Sequence, residues 1–207
     1  MRQLLRRVLP VARDLLVTEL ALYAQLLRWI ARRPDVPAGA TPIPYARMAT
    51  PVVWLFIFGS TVEVVAFDLI LSRWLTFLRL PFLVLGIWGV VWMLGLMASY
   101  RMRPHLVTED DLHVRNMART DVVVPLAAIT RVQVTDTDVG GIRSVRIIDD
   151  RLLVLVSGRT NLQLTLAEGT TLATAHGPTT PATVGLWVDE PREVAELLRR
   201  RRSAPAR

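Results

Sequence analysis

The chain has 207 residues, 25 of them basic and 18 acidic, for a net charge of +7, and 52% are hydrophobic. Every basic residue is arginine and cysteine is absent, which excludes disulfides, thiolate zinc sites, cysteine nucleophiles, Schiff-base lysines and the phosphate-loop lysine. The length leaves room for a membrane hairpin and one domain of about 100 residues.

Residues 1–33 read as an amphipathic helix. Asp14, Thr18, Gln25, Arg28 and Arg32 form a polar stripe at spacings of three, four and seven, and Leu15, Leu16, Leu20, Tyr23, Leu27 and Ile30 cover the rest. Glu19, Gln25 and Arg28 weigh against a third span and for a helix lying in the membrane interface or packed on the domain. Arg13 and Asp14 interrupt any apolar h-region, so no cleavable signal peptide is expected. Residues 34–50, with Pro34, Pro37, Gly39, Pro42 and Pro44, form a non-helical, proline-rich linker.

Residues 51–100 carry the strongest signal in the chain. Leu80 to Tyr100 contains no charged side chain, and Pro51 to Leu71 contains only Glu63 and Asp68. At 1.5 Å rise per residue each run covers roughly 30 Å, the hydrocarbon thickness of a bilayer. Spans at 51–71 and 80–100, joined by Ser72 to Arg79, predict a transmembrane hairpin. Eight arginines precede the first span, Arg101, Arg103, Arg115 and Arg119 follow the second, and only Arg73 and Arg79 lie between. That asymmetry places both termini in the cytoplasm of a multi-pass cell-membrane protein. It also accounts for the positive charge without nucleic acid.

Glu63 sits near the centre of its span, where a carboxylate costs on the order of 2.5–3.5 kcal/mol and marks either an ion path or a hydrogen bond that glues helices. Asp68 lies about 140° further round the helix, within reach of water or Arg73, so the two acids form no paired site. Trp88 and Trp92 are also mid-span rather than in the interfacial belts. In an antiparallel hairpin Glu63 lies level with Trp88, and Gly59 with Trp92. Gly59, Ser60 and Glu63 share one face of the first helix, and Trp88, Trp92, Gly95 and Ser99 one face of the second. A small residue opposite a large one lets the helices approach, and a Glu63–Trp88 hydrogen bond is predicted.

From residue 104 the period changes from helical to two. Leu112 to Arg115, Thr130 to Thr135 and Asn161 to Leu166 alternate, and Val122–Val124, Leu152–Val156 and Val184–Val188 read as further strands. Turn signals separate them at Asp138–Gly141, Ser157–Arg159, Glu168-Gly169 and His176–Pro178. A closing helix starts at Pro191, buries Val194, Leu197 and Leu198, and ends in Arg199, Arg200, Arg201 and Arg202. Residues 203–207 are a tail.

About seven short strands and one helix is the order of a pleckstrin-homology-like (PH-like) barrel. His105 to Arg115 and Val122 to Val132 resemble the opening strands of bacterial membrane-associated PH-like domains. The whole chain is similar to an actinobacterial family of two-span membrane proteins with a C-terminal PH-like domain. The resemblance implies an α+β membrane protein: amphipathic helix, two-helix hairpin, and an antiparallel β-barrel at 104–202 capped by a helix. The paired basic residues that hold phosphoinositides in eukaryotic PH domains have no clear counterpart here.

His105, His113 and His176 lack metal-ligand spacing, and no nucleophile elbow, S-x-x-K or phosphate loop occurs, so no catalytic residue, metal or cofactor is assigned. The expected function is a non-enzymatic, membrane-anchored interaction module. It binds a protein partner or anionic lipid head groups, alone or as a homo-oligomer. Arg32, Arg33, Arg101, Arg103 and the Arg199–Arg202 run are candidate lipid contacts, the last equally readable as a solvated helix end. The alternative is a small transport or channel subunit that uses Glu63.

Overall fold

The computed structural model describes residues 2–141, 143–174 and 177–203, with side chains from Arg13 to Arg202. His176 and the tail 204–207 lie outside the described residues. Helix α1 (Arg2–Ile30) precedes strand β1 (Thr41–Ile43), and helices α2 (Ala49–Trp74) and α3 (Thr76–Met102) follow. Strands β2 (His105–Val107), β3 (Asp111–Asn116), β4 (Thr120–Pro125) and β5 (Ile129–Asp138) lead to β6 (Val145–Ile148), β7 (Arg151–Val154) and β8 (Arg159–Leu166). Strands β9 (Leu172–Thr174), β10 (Gly177–Thr179), β11 (Thr183–Leu186) and helix α4 (Pro191–Ser203) complete the order.

Helices α2 and α3 are both long and apolar enough to cross a membrane, and their most apolar windows are only 6% and 11% buried. A core helix of a soluble domain would be covered, so this apolar surface requires another environment. The helices are longer than the expected spans, and the expected loop shrinks to one non-helical residue, Leu75. Beyond the turn Arg79 chelates Asp68 through Nε and Nη2, at 2.6 and 3.0 Å. That bidentate pair is the partner expected to be water or Arg73, and it ties the far ends of the helices together.

The sheet domain has a mixed α+β architecture without a closed barrel. One sheet has the order β1-β2-β3-β4 and is antiparallel; the other, β5-β8-β11-β7-β6, contains one parallel pair, β11 with β7. Strands β9 and β10 form a separate hairpin. Closure requires strands long enough to tilt round and pair at both edges, whereas β1 and β2 have three residues each. After Pro125 a 3-10 turn, Leu126–Ala128, carries the chain from one sheet to the other. Inward residues of both sheets, such as Leu112, Val124, Leu162 and Leu186, nevertheless share one core with Val194, Ala195 and Leu198 of α4. The closing helix therefore packs on this core through Val194 and Leu198 as expected, but it caps no barrel.

The linker also departs from expectation, because its Thr41–Ile43 segment is strand β1, in register with β2 from Thr41/Val107 to Ile43/His105. Pro42 is tolerated because β1 is the edge of its sheet. The sheet domain is thus built from chain on both sides of the hairpin.

Candidate functional site

The described polar groups gather at three places: the middle of the helices, the junction between hairpin and domain, and the surface arginines.

In the helices, Trp88 and Gly95 of the face Trp88, Trp92, Gly95 and Ser99 pack on α1, not on α2. A Cβ on Gly95 would lie 3.2 Å from the Leu22 carbonyl oxygen, so a larger residue there would push α1 and α3 apart by a few tenths of an ångström. Trp88 Nε1 donates to Glu19 Oε1 at 2.9 Å and to the Tyr23 hydroxyl at 2.6 Å, while that hydroxyl donates to Glu19 Oε1 at 2.6 Å. The expected Glu63–Trp88 bond is therefore absent: α1 supplies the carboxylate, and Glu63 faces elsewhere. Helix α2 meets α3 through Val64 against Gly86, Phe67 against Phe82 and Ser60 Oγ on Met93 Sδ at 3.7 Å. These pairs keep the expected depth register, but a Cβ on Gly59 would meet nothing within 4 Å, so Gly59 faces no tryptophan.

Glu63 is exposed and opens on a groove of about 360 Å³ between α2 and α3, shared with Ser60, Phe67, Gly86, Gly89 and Met93. It makes no hydrogen bond or ion pair with any described residue. Trp92 lies on the exposed edge of its helix, 38% accessible.

At the junction, Arg103 and Arg115, each 8% exposed, converge on two aspartates. Arg115 Nε donates to Asp121 at 3.3 Å and its Nη1 to the Asp35 carbonyl at 2.9 Å. Arg103 lies 3.6 Å from the Asp35 carboxylate, which also pairs with Arg28 at 3.0 Å. Burial of Arg103 beside Arg115 pushes its pKa down, and the nearby carboxylates oppose that effect. One layer below, His105 Nδ1 accepts the Arg115 N–H at 2.9 Å, so its Nε2, 2.9 Å from the Trp187 carbonyl, carries the proton. Tyr45 stacks on that imidazole at 4.5 Å and accepts the Met117 N–H at 3.0 Å. Burial holds His105 neutral, with a pKa lowered to about 4. Neither this cluster nor any other described group of acids and histidines is arranged to hold a metal ion.

Sequence reasoning missed this junction because its members, Asp35, Tyr45, Arg103, His105, Arg115 and Asp121, are scattered over 87 positions. The one available signal was the pair of charged residues inside alternating strands, Arg115 and Asp121. Among the candidate lipid contacts, Arg103 is consumed here. Arg199 and Arg202 donate to β5 carbonyls, and Arg200 lies 3.6 Å from Glu196. Arg32, Arg33, Arg101 and Arg201 remain exposed, with Arg101 over the Trp29 ring.

No protein-family model matches the chain, and no curated protein or solved structure is significantly similar to it.

Proposed function

We propose that this chain is a membrane-anchored interaction module of the cell membrane, in which α2 and α3 cross the bilayer and the sheet domain stands at the cytoplasmic face. It acts there without catalysis, binding a protein partner or anionic lipid head groups, and both termini are cytoplasmic. The observation that carries the reading is the distribution of exposed arginine. Arg32, Arg33 and Arg101 stand at the domain ends of α1 and α3, whereas near the far turn Arg73 is exposed and Arg79 is neutralised by Asp68. Such a bias toward one end is what the positive-inside rule demands, and each arginine near an anionic leaflet contributes about 1 kcal/mol. The buried ion-pair junction supports the same reading, since it couples the domain to the hairpin and sets its orientation to the bilayer.

The absence of native cysteine makes labelling unambiguous. A cysteine at Thr76 should react with an impermeant maleimide in intact cells, and one at Glu109 only after lysis. The reverse pattern would overturn the topology.

One observation favours a second reading, a small transport or channel subunit. Glu63 has no described partner and opens on a groove at mid-helix. Cation or proton flux in proteoliposomes that Glu63→Gln abolishes would establish it.

A further inference from the structure

A second cavity, of about 300 Å³, lies where the base of the hairpin meets the sheet domain. Its two halves differ in chemistry. One wall is Val52 and Phe56 of α2 and Leu96 of α3. Val52 and Phe56 are 50% and 61% exposed, on the first two turns of the helix. The other wall is Arg143, Ser144 and Ser157. Arg143 is exposed and has no hydrogen-bond or ion-pair partner among the described residues. The Ser157-Gly158 turn beside it has positive φ at both positions, 50° and 78°, and packs on Gly140, whose Cα would lie 3.1 Å from a Cβ on Gly158.

An apolar wall facing an arginine without a described partner and two serine hydroxyls matches an amphiphile with an anionic head. We propose that this cavity binds one anionic phospholipid, its phosphate on Arg143, Ser144 and Ser157 and an acyl chain along Val52 and Phe56. The inference rests on the reading of α2 and α3 as spans, which puts this junction at the level where head groups meet acyl chains. It names a site apart from the surface arginines. The lipid then joins hairpin to domain, so that its presence fixes how the domain is held against the membrane.

The test uses the full chain in detergent, titrated with phosphatidylglycerol and phosphatidylcholine of identical acyl chains, with bound lipid counted by native mass spectrometry. One phosphatidylglycerol should be retained preferentially, because the choline cation competes with Arg143 for the phosphate. Arg143→Gln should lower that retention by about tenfold or more, as loss of a charge-assisted hydrogen bond implies. Val52→Trp, which fills the apolar half, should lower retention of both lipids, and Arg131→Gln on β5 should change nothing. Equal retention of the two lipids, or an unchanged preference in a correctly folded Arg143→Gln protein, overturns the proposal. Full displacement by millimolar inorganic phosphate would show that the site takes free phosphate, and would overturn the lipid assignment. Failure of the chain to float with phosphatidylglycerol vesicles sinks the spanning helices and this site together, whereas flotation without head-group preference sinks the site alone.

Discussion

His105 is held by a donor on one ring nitrogen and an acceptor on the other, inside a stack with Tyr45 and 1% exposed. Protonating Nδ1 would set its new N–H against the Arg115 N–H and desolvate a charge beside that guanidinium. The folded-state pKa is lowered to about 4, against about 6.5 in the unfolded chain, so the unfolded state takes up the proton first as pH falls. Stability from this group is complete above about pH 6.5 and is lost progressively down to about pH 4, by up to about 3 kcal/mol. Thermal unfolding of the protein at pH 7.5 and 5.0 should show that loss. A His105→Gln variant should be less stable at pH 7.5 but should lose less between the two values. A drop of equal size in the variant would assign the effect to the carboxylates instead.

At the scale of elements, the informative contact is α1 on α3. The Trp88–Tyr23–Glu19 chain satisfies an indole N–H, a hydroxyl and a carboxylate near mid-helix, and Arg119 of the β3–β4 turn reaches Asp14 and Thr18 of the same helix. Helix α1 is therefore held by hairpin and domain at once. A double-mutant cycle of Glu19→Gln with Trp88→Phe, read as unfolding in detergent, should give a coupling on the order of 0.6–2 kcal/mol. The cycle of Glu63→Gln with Trp88→Phe should be additive within about 0.3–0.5 kcal/mol, the usual limit for independent sites. Coupling in the second cycle and none in the first would refute this placement of the tryptophan.

At the scale of the whole molecule, the sheet domain draws residues from both sides of the hairpin. Ile43 and Tyr45 are 2% and 0% exposed, and the Asp189 N–H donates to the Pro44 carbonyl. A fragment of residues 104–202 lacks β1 and both of these side chains, a loss on the order of 3–6 kcal/mol against a typical domain stability of about 5–15 kcal/mol. It should therefore unfold at lower denaturant or aggregate. Residues 34–47 joined to 103–202 by a short Gly/Ser linker should instead be soluble, mainly β by circular dichroism, and cooperative in unfolding. Equal stability of the two fragments would show that β1 contributes nothing.

What the chain alone made legible was periodic or compositional: two long apolar runs, the switch to period two after Pro104, the amphipathic closing helix, and the depth register of the hairpin. Each depends on neighbours in sequence or on a simple helical repeat, so local physics determines it. Even the helix face Trp88, Trp92, Gly95 and Ser99 could be read from spacing. Its partner could not, because the spacing on α3 does not say whether α1 or α2 covers that face, and the contacts of Leu22 with Gly95 and of Glu19 and Tyr23 with Trp88 place α1 there. The same holds for β1 inside a proline-rich linker, for the separation of the two sheets, and for the Asp35–Arg103–Arg115–Asp121 junction. Those depend on which distant segments meet, and a long-range contact has no period for the sequence to display.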